Sequence, residues 1–315
     1  EQVAATLDAL PARTGMYARA LETGQEIAVR ADEAVNTLSI IKIPVMILAY
    51  RDAEAGHLDL DERYTVREED LRRGSGLLQH FQVGLRPTYR DLVTQMIITS
   101  DNTATDIVIR RVGMDRVNAL LAGWGYAETR VLDTTGGLFR RVWEMLDPAH
   151  ASLSDLEVYR RGFPQDDQAA ARSFAFEGDA GEWLGRTTPR EISRILAELH
   201  AGQLAGEAST GEMISILRRQ FYATRLPLYL AGRATVAHKT GDWPPIAGND
   251  VGILYGPGQP IVVSVFATQN RGDFAELEAA HGRIARMLFD AWGDERLRSG
   301  PNERSRREQD KPTGG

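Results

Sequence analysis

The spacing of apolar residues changes character along the chain. Near the N-terminus, residues 16–20 and 26–30 are short, mostly apolar stretches that flank Glu22-Thr23-Gly24-Gln25, which predicts a two-stranded hairpin. Near the C-terminus, 234–238, 251–255 and 261–267 are rich in β-branched residues and separated by Gly and Pro, which predicts three more strands. Between these ends the interval becomes helical, over 90–99, 104–112, 114–122 and 189–201. Two of these stretches have clear starts. Asp115 and Arg116 follow Gly113, and Thr187-Thr188-Pro189-Arg190-Glu191 supplies a cap with proline in the first turn. A last periodic stretch, 274–292, predicts a C-terminal helix. Strands at both termini must pair with each other, so the expected fold class is α/β with an all-α insertion: an antiparallel sheet flanked by helices plus a helical domain. The expected division is 1–38 with 203–293 for the sheet domain and 39–202 for the helical one.

Two segments break the pattern. Residues 134–186 hold Gly-Gly, aromatics, several carboxylates and only short apolar pieces, which predicts an extended ordered loop with short helices. Loops of that length in compact domains are usually functional or disordered. Residues 294–315 are Arg, Glu, Asp, Pro and Gly with almost nothing apolar, a composition that cannot offset its ordering entropy, and a solvated tail is expected.

Composition narrows the chemistry. With 315 residues, 43% of them hydrophobic, the chain can bury a substantial core. Lys and Arg number 37 against 44 Asp and Glu, a net charge of −7, so no global basic field exists to hold nucleic acid. Cysteine is absent, which excludes a disulfide, a thiolate metal site and a thiol nucleophile. The longest apolar stretch, 43–50, is far below the roughly 20 residues of a membrane span. The six histidines show no metal-ligand spacing. No cofactor is expected, and a monomer is.

Three short strings carry candidate chemistry. Ser39-Ile40-Ile41-Lys42 opens an apolar stretch; if a helix begins there, Ser39 and Lys42 share a face at its N-terminus, where free N–H groups favour a developing anion. A lysine among apolar neighbours has reason to lose its proton and serve the serine as base. Ser100-Asp101-Asn102 falls between two predicted helices, and Lys239-Thr240-Gly241 ends a predicted strand. Each alone also reads as an ordinary cap or turn.

In this order the three strings resemble the set of the penicillin-recognising serine hydrolases, most closely their class A-like β-lactamase branch. The resemblance extends through Gly74-Ser75-Gly76-Leu77-Leu78-Gln79, through Met96-Ile97-Ile98-Thr99 into Ser100, through Thr187-Thr188-Pro189 and through Ala237-His238, and covers about residues 7–292. It implies Ser39 as the nucleophile that forms an acyl-enzyme and Lys42 as its proton acceptor or relay. It implies Ser100 as proton donor to the leaving amine, assisted by Lys239, and Asn102 as holder of the substrate's acylamino carbonyl. Substrate contacts fall on Thr240, Gly241 and Asp242, with an oxyanion hole from the N–H groups of Ser39 and Asp242. Arg225 would meet a substrate carboxylate, or else be a surface arginine. A β-lactam or peptidoglycan-like small molecule is the implied substrate, and a periplasmic or secreted location, with a leader removed ahead of Glu1, is implied with it.

The match breaks in two places. Class A enzymes carry Glu-x-x-Leu-Asn, whose glutamate activates the deacylating water; the nearest string here is Glu144-Met145-Leu146-Asp147, one residue short. Glu144 is the expected base, with Glu157, Glu177 and Glu182 as competitors. After Gly241 comes Asp242-Trp243-Pro244-Pro245, whose carboxylate would repel a substrate carboxylate unless turned to solvent. These departures leave open a DD-peptidase, amidase or esterase, and a penicillin-binding protein that acylates without release.

Overall fold

The computed structural model describes residues 1–294. Helix α1 (Gln2–Asp8) leads into β1 (Arg13–Ala20), β2 (Glu26–Val29) and β3 (Val35–Asn36). Then come α2 (Lys42–Glu54), α3 (Tyr89–Ile98), α4 (Asn102–Val112) and α5 (Met114–Gly123). Strand β4 (Arg130–Val131), helices α6 (Thr135–Glu144), α7 (Asp155–Arg161) and α8 (Ala169–Gly178), and β5 (Gly185–Thr187) form the next section. Helices α9 (Pro189–His200) and α10 (Glu207–Arg218), strands β6 (Thr235–Trp243), β7 (Ala247–Tyr255) and β8 (Ile261–Thr268), and helix α11 (Phe274–Leu288) complete the chain.

The main sheet runs β2-β1-β8-β7-β6, with every neighbouring pair antiparallel. The N-terminal hairpin therefore joins the C-terminal strands directly, Arg13 opposite Thr268 through Ala20 opposite Ile261. The two-residue period of β8 serves two cores. Ile261, Val263 and Val265 pack with Met16, Ile284 and Leu288 beneath α11, while Val262 and Phe266 join the larger core that contains Ile192, Ile195 and Leu196 of α9. Helix α9 thus covers the second face of the sheet, against β1, β7 and β8, although the sequence assigns residues 189–200 to the helical domain. The reason is physical: a sheet buried on both faces needs a helix on each, and α9 presents the apolar stripe that does it.

Helix α2 is the axis of the helical part. Residues 42–50 are all buried, including Lys42, as expected for a helix surrounded by others. The segment 134–186 is more regular than a loop. Thr134 caps α6 and Ser154 caps α7 through side-chain oxygens that accept the N–H groups of Gly137 and Glu157. A small sheet, β3-β5-β4, ties the end of this segment to the chain just before Ser39. Helix α11 ends at Leu288 and a π-helical turn, Phe289–Gly293, completes the expected 274–292 stretch. Asp294 is buried and pairs with Arg233 at 3.2 Å, so it belongs to the fold rather than to the expected tail; 295–315 lie outside the described residues. Among the described residues no helix is long and apolar enough to cross a membrane.

Candidate active site

Ser39 lies in a 3-10 turn, Leu38–Ile41, immediately before α2 and not inside it. That turn is pinned from two sides. Thr37 donates its N–H to the Gly185 carbonyl at 2.9 Å, and Asn36 accepts from the Leu38 N–H at 3.1 Å. The edge strand β6 comes so close that a Cβ on Gly241 would lie 2.6 Å from the Thr37 carbonyl and 3.3 Å from the Ser39 nitrogen. Only glycine permits this approach, which explains its place after Lys239-Thr240. Leu38 holds φ 46°, a left-handed conformation costly for a branched residue and maintained by these contacts.

Beside Ser39, two lysines converge on one hydroxyl. Lys42 Nζ donates to Ser100 Oγ at 3.1 Å, to the Ser100 carbonyl at 2.7 Å and to Asn102 Oδ1 at 2.8 Å. Lys239 Nζ reaches the same Ser100 Oγ at 2.9 Å and the Thr240 carbonyl at 2.7 Å. An oxygen that accepts two N–H groups has its own proton left to give elsewhere, and Ser100 borders the cleft. Both lysines are fully buried. Burial, and then the charge of Lys239, push Lys42 well below the usual lysine range, while burial brings Lys239 down to about 7.

Ser100 itself has φ 55°. The next residue explains how that turn is held. Asp101 Oδ2 accepts the N–H groups of Leu77 and Leu78 at 2.7 and 2.8 Å, and Oδ1 accepts that of Ala104 at 2.9 Å. Asp101 is therefore an anchor for two loops and a cap for α4. Asn102 donates through Nδ2 to the Arg73 carbonyl at 2.9 Å and lines the cleft.

Strand β6 sends alternate side chains to opposite faces. Lys239 meets Ser100, and Trp243 meets Phe176 of α8 with ring centroids 5.5 Å apart. On the other face His238 pairs with Asp250 at 2.9 Å, and Asp242 pairs with Arg225. Thr240 is buried, with no hydrogen-bond partner for its hydroxyl, and does not border the cleft. Arg225 is no surface residue; it is buried, donates to the Asn249 carbonyl at 3.1 Å and lies 3.7 Å from Glu278. Asp242 thus pairs with Arg225 while 31% of its side chain stays exposed at the edge of the cleft. This rim, with one cation against two carboxylates, is not attractive to an anionic substrate group. Asp242→Asn keeps the backbone N–H and leaves Arg225 facing Glu278 alone, so acylation by a carboxylate-bearing β-lactam is expected to rise about tenfold, as the loss of one rim charge worth roughly 1–4 kcal/mol allows. Stopped-flow acylation rates for that compound and its neutral methyl ester check it: the ester should gain little.

The beta-lactamase enzyme family profile matches residues 1–292, the whole length over which this site is built. The chain belongs to that family. Among similar sequences, beta-lactamase L2 of Stenotrophomonas maltophilia is 26% identical over 293 residues, covering 91% of this chain and 84% of the relative. A beta-lactamase of Streptomyces lavendulae is 24% identical over 289 residues, covering 90% and 82%. A solved beta-lactamase from Sphaerobacter thermophilus superposes with TM-score 0.74 at 28% identity, over 92% of this chain and 96% of that one. PBP-A has the same fold, with TM-score 0.72 at 23% identity over 92% and 94%.

Against this β-lactamase frame, the segment 134–186 brings none of the expected carboxylates to the cleft. Leu138, Phe139 and Val142 of α6 line it; Glu144, two residues beyond Val142, is rotated by about 200° and is exposed. Glu157 is exposed and closes the capping box of α7, and Glu182 pairs with Arg141 at 2.8 Å. Glu177 is buried against Gln269, which donates to it at 2.7 Å, and burial raises its carboxyl. Where Asn102 meets α6, Asp106 instead accepts the N–H groups of Thr135 and Gly136, at 2.8 and 2.9 Å. The cleft's carboxylates among the described residues are Asp242 and Glu278, and Glu278 accepts from Thr224 Oγ1 at 2.5 Å.

Proposed function

We propose that this β-lactamase-family hydrolase opens the β-lactam amide through a Ser39 acyl-enzyme. The observation that carries the reading is the convergence of Lys42 and Lys239 on Ser100 Oγ next to the Ser39 turn. Ser39 Oγ attacks the lactam carbonyl and its proton passes to Lys42, which burial keeps available as a base. The C–N bond breaks, the ring nitrogen takes the Ser100 proton, and the lysines restore it. Water then cleaves the ester and returns a proton to Ser39. The backbone N–H groups of Ser39 and Asp242 are the proposed oxyanion hole, and Asn102 holds the acylamino carbonyl. Such substrates occur outside the cytoplasmic membrane, which supports a periplasmic or secreted location.

A second reading rests on the wall of α6. With Glu144 exposed and both cleft carboxylates engaged by Arg225 or Thr224, no lining carboxylate among the described residues stands free for the deacylating water, which favours a slowly released adduct. Intact-mass spectrometry over time with excess benzylpenicillin, run beside product absorbance, separates the two. Product far beyond one equivalent with a transient adduct is the expected outcome for hydrolysis. A persistent single adduct on Ser39 supports the second reading, and no adduct overturns both.

A further inference from the structure

Glu177 of α8 does not border the cleft, and at 2% exposure it meets no substrate directly. A carboxylate at that depth needs donors, and Glu177 has them. Gln269, just past β8, gives it a backbone N–H at 3.2 Å and a side-chain N–H at 2.7 Å. The side-chain amide of Asn36 also donates to it, and Arg13 adds a favourable charge. Burial raises the carboxyl, and these partners oppose the rise.

Through Asn36 this carboxylate reaches the nucleophile. Asn36 is buried, ends β3 and stands just ahead of the Leu38–Ile41 turn. Its Oδ1 accepts the Leu38 N–H at 3.1 Å, and its carbonyl accepts Nδ2 of Asn249 at 3.0 Å. Leu38 is the residue held at φ 46°, so this bond closes the strained joint immediately before Ser39. An amide has a donor end and an acceptor end, and only one orientation of Asn36 serves Leu38. An ionised carboxylate is acceptor-only and forces that orientation: the NH2 must face Glu177, which leaves Oδ1 for Leu38. We propose that Glu177 is a positioning residue for the reaction of Ser39, fixing from α8 the sense of the Asn36 amide and through it the turn that presents the Ser39 hydroxyl and N–H. The inference rests on the Ser39 reading. It gives the segment 134–186 a part in acylation although none of its carboxylates lines the cleft.

The test moves the acceptor and reads Ser39 acylation by benzylpenicillin in stopped flow, with intact mass for the adduct and circular dichroism for the fold. Glu177→Gln keeps the side chain's size but can turn NH2 toward Asn36. Acylation is expected to slow about tenfold with affinity for the intact lactam unchanged, because a small misplacement of a reacting group costs that much or more. Asn36→Ala, which removes the link and leaves Glu177 its bonds to Gln269, should show a similar loss. The deciding variant combines Asn36→Asp with Glu177→Gln at unchanged net charge. The acceptor-only group then stands at position 36, takes both the Leu38 N–H and the new amide, and should restore most of the lost rate. A parent-like rate in Glu177→Gln or in Asn36→Ala would overturn the proposal, as would a folded double variant no faster than Glu177→Gln. Absence of any adduct in the parent would overturn the Ser39 reading and the inference with it.

Discussion

A Ser39→Ala variant is expected to form no adduct with any β-lactam, and Lys42→Met to acylate about 10³-fold more slowly than the parent, within the range of about 10²–10⁴ for a positioned general base. Two observations set the size of the second effect. Lys42 Nζ has three acceptors and no route to solvent, so its replacement removes the buried base, leaves Asn102 Oδ1 without its lysine donor and leaves Ser100 Oγ to Lys239 alone. Its pKa lies well below the usual lysine range, and the base must be neutral to accept the serine proton. The sign of the pH dependence follows: acylation is fastest above the titration of the lysine pair and falls as acid adds a proton to it. Both members of the pair are lowered by burial, Lys239 to about 7, so the limb lies below the range of an ordinary lysine. Stopped-flow acylation between about pH 5 and 9, with circular dichroism to show that both variants fold, checks the result. An acid limb unchanged in Lys42→Met would remove this lysine from the proton path.

How much of this was legible in the sequence depends on how local each feature is. The hairpin and C-terminal strands are short, mostly apolar stretches between turn residues, and α4 and α9 carry helical spacing with caps, so they can be read from neighbouring residues. Strands β3, β4 and β5, two or three residues each, are too short for any period to show. The division at residue 202 fails for α9 because an apolar stripe says that a face is buried, not which layer buries it. The three strings around Ser39, Ser100 and Lys239 are legible as chemistry, since each holds its reactive group within four residues. Their mutual geometry is not. That Lys42 and Lys239 share one hydroxyl depends on pairing β6 at the sheet edge with a loop 139 residues away in sequence.

Glu144 and Arg225 show the same limit from the other side. Glu144 stands in a string that resembles a catalytic loop, but the helix phase of α6, set by Leu138 and Val142 facing the cleft, turns it outward. Arg225 and Asp242 lie 17 residues apart on different elements, and nothing local announces that one neutralises the other. Both departures from the family pattern act on the substrate's surroundings more than on the Ser39 centre: an apolar wall where a base was expected, and a closed ion pair where a free cation was.

Asp101→Ala is expected to lower the unfolding free energy by about 3–5 kcal/mol, although no acid or base role is assigned to Asp101 here. The carboxylate accepts three backbone N–H groups, from Leu77, Leu78 and Ala104, and is 1% exposed. Removing it leaves three buried donors unsatisfied, each worth roughly 1–3 kcal/mol, partly recovered if water enters the space. One of the three, the Ala104 N–H, is the capping bond of α4, about 1 kcal/mol within that total. The close packing against Gly76, where a Cβ would lie 2.3 Å from the Asp101 carbon skeleton, shows how little room there is for relaxation. Asp101→Asn sharpens the test, because its amide oxygen can replace one carboxylate oxygen but its NH2 faces a donor. Urea unfolding should rank the parent above Asp101→Asn, and Asp101→Asn above or level with Asp101→Ala. Ser100, whose positive φ depends on this anchor, should lose its place between the two lysines, and acylation should fall in both variants even at temperatures where they remain folded. Full acylation in a destabilised but folded Asp101→Ala would show that the lysines alone hold Ser100.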